Sequence, residues 1–339
     1  MEKSFKIFLI LLAILVSLLL FFYLKKSPSG TPSGGVTIGS SKLFPITFSI
    51  PEEKISNEIS KKTKLLSSLI PGKIETYIYK NEKDYYNEYK KSLFAITTKK
   101  GGWDCMRHYE ILANNCIPYF PNIEECPPNT MALFNKEMFI ESNKLYDKYK
   151  DRDINKFTPT EFNECYQLIN KWLKFTKDNL TTTKVAEYIL KKTNYTNVSK
   201  ILFLSGNLDP DYLRCVTLHG FKILFKKNCH DYPKVTHLYK SCNTSNDKLY
   251  GKGMSYSKLL DDNLHDDNLD NSGKIENNIK NNYYDIIIYG SYHRGMPLYD
   301  LVKKYYNNDQ IILLCGEDLH NCNYDKYNSK GHYVFVREL

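Results

Sequence analysis

The C-terminal half of the chain alternates short apolar runs with longer mixed segments. Residues 201–205 (ILFLS), 285–289 (DIIIY) and 311–315 (IILLC) are almost entirely apolar. Runs of this length are typical of strands that are buried on both faces. Together with the helical segments between them, they predict a parallel sheet covered on both sides. The other elements predicted in this half are helices at residues 211–218 and 298–306 and strands at residues 221–226 and 333–337.

The N-terminal half shows the same mixture with more helix. The two halves together predict an α/β fold with two Rossmann-like lobes, residues 41–195 and residues 196–339. Residues 261–282 are rich in Asn and Asp, which predicts a disordered insertion in the second lobe. The elements predicted in the first lobe are strands at residues 44–50, 74–79, 93–96 and 116–120, and helices at residues 51–69, 83–91, 135–148, 160–177 and 183–191, with a further helix that begins at residue 105.

The N-terminus carries an apolar run of a different length. Residues 7–24 contain no charged side chain and would span about 27 Å as a helix, close to the thickness of a bilayer core. A cleaved signal peptide is the alternative, but its apolar core is usually shorter, about 7–15 residues. We therefore expect a single-pass transmembrane anchor within residues 1–26 and a Pro/Gly/Ser-rich stalk at residues 27–40. The folded body is expected to be luminal or external.

The net charge of the chain limits the classes of ligand and partner that we expect it to bind. The chain has 339 residues and a formal net charge of +9, which is not concentrated in one long basic run. This charge fits a phosphorylated ligand or an anionic membrane surface. The sequence has no recognised nucleic-acid-binding module, so nucleic acid is not an expected partner.

The nine cysteines are scattered and include no CxxC pair. A Cys116–Cys126 bridge is one possibility in a luminal body, although spacing does not fix the pairing. Cys315, His320 and Cys322 suggest zinc, but a fourth ligand at suitable spacing is missing from this stretch. We therefore interpret these cysteines as structural and predict no metal site.

The densest polar cluster follows the strand predicted at residues 93–96. Gly101–Gly102 ends that strand, and Asp104 is placed to cap the next helix. Free N–H groups at a helix N-terminus, together with lysine and arginine side chains, suit a diphosphate. Glu110, one turn further along, is expected on the polar face beside Arg107, where it would accept hydrogen bonds from sugar hydroxyls. The alternative is an Arg107–Glu110 surface pair. The residues predicted to bind the diphosphate and its sugar are Lys99, Lys100, Gly101, Gly102, Trp103, Asp104, Arg107 and Glu110.

This block resembles a known family. A strand, a helix with Arg107-x-x-Glu110, and a strand with Cys116-Ile117-Pro118 are similar to the donor-binding half of GT-B glycosyltransferases, especially the exostosin-like group and related proteins of large DNA viruses and algae. The resemblance implies that Arg107 contacts the donor diphosphate and Glu110 the ribose or sugar. It implies a nucleotide-sugar donor as substrate, a glycan or protein acceptor, and no metal or other cofactor.

The order of the halves departs from the family. GT-B enzymes place the acceptor half first, whereas here the donor-like block comes first. The sequence therefore looks circularly permuted. In the unpermuted order, the strand at the C-terminus would come directly before the strand at residues 44–50.

In the second half, polar residues follow two buried strands. Because such residues lie at the carboxyl edge of a parallel sheet, they are candidates for ligand contact. His293 follows DIIIY and is the predicted general base or acceptor-site residue. Glu317, with Asp318 beside it, follows IILLC and is the second catalytic candidate. Loop solvation and helix capping are the alternative reading of both positions.

Two other functions stay open on the sequence. Asp209-Pro210-Asp211 matches the D-x-D pattern of metal-dependent GT-A transferases. A catalytically inactive protein that binds a glycan or a nucleotide is the non-enzymatic alternative. The sequence favours the metal-independent glycosyltransferase over both.

Overall fold

Within residues 42–318 and 322–339, which the computed structural model describes, nine strands form two parallel sheets. The α/β class predicted from the sequence is confirmed. The strands are β1 (Leu43–Pro45), β2 (Lys64–Leu66), β3 (Ser92–Ile96), β4 (Ile117–Tyr119), β5 (Ile201–Leu204), β6 (Cys229–Tyr232), β7 (Ile286–Tyr289), β8 (Ile311–Cys315) and β9 (Tyr333–Val336).

Nine α-helices lie in the same described residues. They are α1 (Glu82–Lys91), α2 (Met106–Ala113), α3 (Lys136–Tyr149), α4 (Pro159–Asn179), α5 (Thr182–Lys192), α6 (Tyr212–Phe225), α7 (Ser272–Lys280), α8 (Tyr299–Tyr305) and α9 (Tyr324–Asn328).

The larger sheet has the strand order β1-β9-β8-β7-β5-β6, and every neighbouring pair is parallel. Its central strands send alternate side chains to opposite faces. Phe203 and Ile288 belong to one apolar cluster, whereas Leu202 and Ile287 belong to the other. Both faces are therefore buried, which explains why these strands read as continuous apolar runs.

The connections of this sheet define where a ligand would bind. In chain order, β5 to β9 are arranged as second, first, third, fourth, fifth, the doubly wound order of flavodoxin-like folds. The chain reverses direction across the sheet between β5 and β7. Ligands of such sheets bind outside the carboxyl ends of the strands at this switch point.

The smaller sheet, in the order β2-β3-β4, belongs to the N-terminal half. One face of it packs against α1 and α2 through Tyr85, Tyr89 and Ile111. On the other face, Phe94 and Ile117 join the same apolar cluster as Phe203 of the larger sheet. The two sheets thus share one contiguous core.

Three predicted elements are wrong. Residues 51–69 form no long helix but a short 3₁₀ turn at Glu52–Lys54 followed by β2, which pairs with β3. Residues 74–79 are not a strand, and Ile74 and Ile78 are exposed. Residues 221–226 belong largely to α6, since a short apolar run does not distinguish a strand from a buried helix.

The disorder predicted for residues 261–282 is also contradicted. This stretch contains α7, which begins after Asn271, whose side chain accepts a hydrogen bond from Lys274 N. Ile275 and Ile279, one turn apart, are fully buried against the larger sheet. Two apolar side chains on one face suffice to dock a short capped helix despite the polar composition around them.

The predicted anchor at residues 1–26 and stalk at residues 27–40 lie outside the described residues. Within the residues that are described, no helix is both long and apolar enough to cross a bilayer.

The cysteine pairing differs from the one considered from the sequence. Cys315 and Cys322 form a disulfide, whereas Cys116 and Cys126 are free thiols. His320, the third member of the zinc alternative, lies outside the described residues.

Candidate functional site

The Gly101–Gly102 corner lies between β3 and α2, as predicted, but its amides are already bound. Glu338 accepts hydrogen bonds from Trp103 N and Asp104 N, both at 3.0 Å. A Cβ atom on Gly102 would lie 2.4 Å from Glu338 Oε1, so the close approach of this carboxylate requires glycine. The backbone amides that we expected to bind a donor diphosphate therefore donate their hydrogen bonds to a carboxylate of the chain itself.

Asp104 does not cap α2, contrary to the prediction. Cys105 is the N-cap residue, and the fully buried Asp104 carboxylate accepts hydrogen bonds from Phe48 N at 2.7 Å and from the Tyr109 hydroxyl at 2.9 Å. Burial raises the pKa of Asp104 to about 6, although Arg337 opposes the shift. Asp104 is thus a buried tie between segments rather than an exposed ligand contact.

Arg337 is a residue that the sequence analysis missed. Its fully buried guanidinium donates to the Gly316 carbonyl at 3.1 Å and to the Asp104 carbonyl, pairs with Asp318, and lies 4.4 Å from the centre of the Phe48 ring. The signal was available, since Arg337 and Glu338 directly follow β9, as His293 follows β7. Arg337 therefore joins the corner after β3 to the loop after β8.

Glu110 is buried, so its predicted place on an exposed face is wrong. Its carboxylate accepts hydrogen bonds from the Tyr85 hydroxyl at 2.7 Å and the Ser255 hydroxyl at 2.6 Å. Burial raises the pKa of Glu110. Arg107 does not pair with it but donates to the Tyr77 hydroxyl at 3.2 Å and the Thr98 carbonyl at 3.4 Å.

The two lysines of the corner are exposed. Lys99 Nζ lies 5.2 Å from the centre of the Trp103 ring, and Lys100 Nζ lies 3.4 Å from the Tyr250 hydroxyl. We call residues 99–104 together with the partly exposed Arg107 the basic corner. It carries three positively charged side chains.

A second cluster forms at the carboxyl ends of β5, β7 and β8. His293 Nε2 lies 2.9 Å from Glu317 Oε1 and 4.0 Å from Asp211 Oδ2. Arg294 Nε lies 2.9 Å from the same Asp211 oxygen. Burial lowers the pKa of His293, although Asp211 and Glu317 oppose this. Its Nε2 faces the Glu317 carboxylate.

This second cluster lies at the switch point of the larger sheet. Asn207 N donates to the Arg294 carbonyl at 2.9 Å, which links the loops after β5 and β7. Among the described residues, the buried polar atoms here that have no hydrogen-bond partner include Ser205 Oγ, Ser291 Oγ and His293 Nδ1. Buried polar atoms are rarely left unpaired in native proteins, so their concentration at the strand ends is typical of a site that binds a polar ligand.

The two clusters are adjacent. A Cβ atom on Gly101 would lie 2.2 Å from Asp318 Oδ2, so the basic corner directly contacts the residue that follows Glu317. Gly101 and Asp318, which are more than two hundred positions apart in the chain, thus meet at one edge of the sheet. The candidate site comprises the basic corner and the four side chains of Asp211, His293, Arg294 and Glu317.

The two aspartates of the D-x-D pattern, Asp209 and Asp211, make different contacts in the structure. Asp211 Oδ1 accepts a hydrogen bond from Arg214 N and caps α6, while Oδ2 faces Arg294. Asp209 accepts a hydrogen bond from the Asn207 side chain at 2.9 Å. These contacts explain the two aspartates without a metal ion.

No protein-family model, curated protein or solved structure matches this chain. The resemblance to GT-B glycosyltransferases therefore rests on the residues from β3 to β4.

Proposed function

We propose that the chain is a glycosyltransferase that moves a sugar from a nucleotide-sugar donor to a glycan or protein acceptor. The observation that carries this proposal is the His293–Glu317 pair, at 2.9 Å, beside the basic corner at the carboxyl edge of a parallel sheet. Glycosyl transfer needs both parts, because a hydroxyl must lose a proton while a diphosphate leaves.

On the donor side, the positive charges of Lys99, Lys100 and Arg107 would hold the diphosphate. Glu338 already accepts the backbone N–H groups of this corner, so the side chains supply the attraction. Glu110 has both carboxylate oxygens hydrogen-bonded within the protein. Its role in this proposal is to hold α2 in place, and sugar contact is left to other groups.

On the acceptor side, exposure distinguishes the two catalytic candidates. The Glu317 side chain is 34% exposed, whereas that of His293 is 9% exposed. Glu317 is therefore the group that would take the proton from the acceptor hydroxyl. His293 would act behind it as a positioning residue, because its Nε2 lies 2.9 Å from Oε1 and can orient the carboxylate. The deprotonated oxygen would then attack the anomeric carbon as the nucleoside diphosphate leaves.

A membrane anchor and a luminal or external body remain part of the proposal. The Cys315–Cys322 disulfide supports it, because such bridges persist in oxidising compartments. The bridge also flanks Glu317 in the sequence.

The experiment is a screen of the full-length protein in detergent against nucleotide sugars, with release of nucleoside diphosphate as the readout. We expect one donor to be turned over, and Glu317→Gln to abolish most of that turnover. Glu137→Gln, which changes an exposed glutamate on α3, is the matched control. Donor binding without turnover in the wild type would favour the inactive binding protein, and a strict requirement for Mn²⁺ would favour the GT-A alternative.

A further inference from the structure

A compact group of histidine and aspartate side chains lies at β6, a strand at the edge of the larger sheet. One carboxylate oxygen each of Asp231 and Asp270 and one ring nitrogen of His265 lie within 4.8 Å of one another. His230 adds a second imidazole, with Nδ1 2.6 Å from Asp270 Oδ1. All four side chains are at most 5% exposed. These are the donor groups of a mixed nitrogen and oxygen metal site.

One atom of this group is left without an interaction. Asp231 Oδ1 accepts from Lys222 Nζ at 2.7 Å and the Tyr239 hydroxyl at 2.9 Å, and it lies 2.8 Å from His265 Nδ1. Asp231 Oδ2 is equally buried but has no hydrogen-bond partner among the described residues. A buried carboxylate oxygen without a partner is costly, and a cation bound to it would remove the cost.

The surroundings of His265 also fit a metal ligand. Its Nδ1 faces Asp231 and Asp270, at 2.8 and 3.4 Å. Its Nε2 lies 3.3 Å from Asp267 Oδ1, and Asp267 is exposed. A carboxylate that accepts the second ring N–H of a histidine is the usual outer partner of a metal-bound imidazole, because it fixes the tautomer and the ring orientation.

We propose that Asp231, His265 and Asp270 bind a structural divalent metal ion, with Zn²⁺ as the best fit and His230 as the outer partner of Asp270. A ligand set that includes an imidazole favours Zn²⁺ over Mg²⁺ and Ca²⁺, which prefer oxygen ligands. The three side chains are closed off from solvent, so a substrate does not reach the ion. Its role is to fix residues 265–270, which lead into α7, against β6. This inference is independent of the glycosyltransferase proposal.

The competing explanation is a charge network without a metal. Lys222 is fully buried, pairs with Asp231 and donates to the Leu264 carbonyl at 2.7 Å. Its ammonium group balances one of the two carboxylates. It contacts Asp231 at Oδ1, which leaves Asp231 Oδ2 without a hydrogen bond and the Asp270 carboxylate without a lysine or arginine beside it.

The test uses the full-length protein after removal of metal ions by a chelator. Addition of Zn²⁺ should raise the melting temperature on the order of 5 °C at a hundredfold excess over Kd. Co²⁺ in place of Zn²⁺ should bind one ion per chain and give visible absorption bands. Asp270→Asn and His265→Gln should each lose the bands. His219→Gln, which changes a buried histidine that contacts Thr182 instead, should keep them.

Two results would overturn the proposal. One is a chelated wild-type protein whose melting temperature is unchanged by Zn²⁺ and whose Co²⁺ form is colourless. The other is unchanged binding of one ion in both Asp270→Asn and His265→Gln, which would place the ion elsewhere. The wild-type measurement tests the proposal by itself, so the test remains valid even if a variant fails to fold.

Discussion

Glu317 and His293 approach to 2.9 Å across the gap between β8 and β7, two strands that are neighbours in the sheet but are separated by α8 in the chain. The loops that carry these side chains start from buried strands, so the pair rests on a rigid support. The solvent-facing glutamate and the enclosed histidine form an ordered pair whose members have different tasks. This arrangement leads to the first prediction.

Glu317→Gln is expected to lower glycosyl transfer by ~10²–10⁴-fold, because the amide cannot accept the acceptor proton. Donor affinity should stay within about twofold. His293→Ala should lower the rate by ~10–100-fold, the range for an outer positioning group, and should shift the acid limb of the pH–rate profile. Full turnover in Glu317→Gln, measured with an identified acceptor, would remove this residue from the mechanism.

Arg107→Ala is expected to weaken donor binding by about 1.5–3 kcal/mol, since it removes a charge-assisted contact to the diphosphate. Titration calorimetry of the donor would measure this effect. Arg152→Ala, which removes a half-exposed arginine paired with Glu161, is the matched control and should not alter binding. If Arg107→Ala lowers the melting temperature sharply and leaves donor affinity intact, the hydrogen bonds to Tyr77 and Thr98 are its main function.

The raised pKa of Asp104 predicts a defined pH dependence of stability. Its folded pKa of about 6 lies above the ordinary pKa of an aspartate, 3.8, so the folded protein binds this proton more tightly than the unfolded chain. The resulting stabilisation is complete below about pH 4 and is lost as the pH rises through about 6.

The measurement is the free energy of unfolding of the wild type minus that of Asp104→Asn. This difference should fall by on the order of 2–3 kcal/mol between pH 4 and pH 7. Asp300→Asn, at an exposed position on α8, should show a flat difference. A flat difference for Asp104→Asn as well would mean that Asp104 is ionised throughout.

Thiol counting would test the disulfide. The unreduced, denatured chain should expose seven thiols, because the free cysteines are Cys105, Cys116, Cys126, Cys165, Cys215, Cys229 and Cys242. Reduction should raise the count to nine, the number of cysteines in the sequence. Cys315→Ser should give eight thiols without reduction, since Cys322 loses its partner. Loss of this short ring should cost about 2.5 kcal/mol by the loop-entropy relation.

The sequence predicted the central elements of the fold because their signals are local. The apolar runs that form β5, β7 and β8 could be recognised without information from distant parts of the chain. The segment at residues 51–69 failed because its conformation depends on the sheet and helix that it packs against. The strand β6 was missed because its four residues, Cys229–Tyr232, include His230 and Asp231, whose burial depends on partners far away in the chain.

The positions of the candidate residues that follow β7 and β8 could be predicted from the sequence. The hydrogen-bond partners of the buried residues could not. One rule, that polar residues after buried strands lie at the edge where ligands bind, predicted His293 and Glu317 as neighbours at this edge, and the structure brings them together there. Glu110 and Asp104 were placed wrongly because their partners, Ser255 and Phe48, come from other parts of the chain. The carboxylate of Glu338 could not be assigned to the glycine corner, because no local pattern reports which distant group fills a set of free amides.

The pairing of β1 with β9 has a kinetic consequence. Leu43 is in register with Val334 and Pro45 with Val336, so this edge of the sheet closes only when two remote segments meet. Closing so large a loop is slow, and contacts of this kind form late. Until β1 arrives, the backbone of β9 presents an open edge that another chain can join. Refolding at high concentration should therefore fail first by edge-to-edge aggregation, which dilution or an added chaperone would relieve.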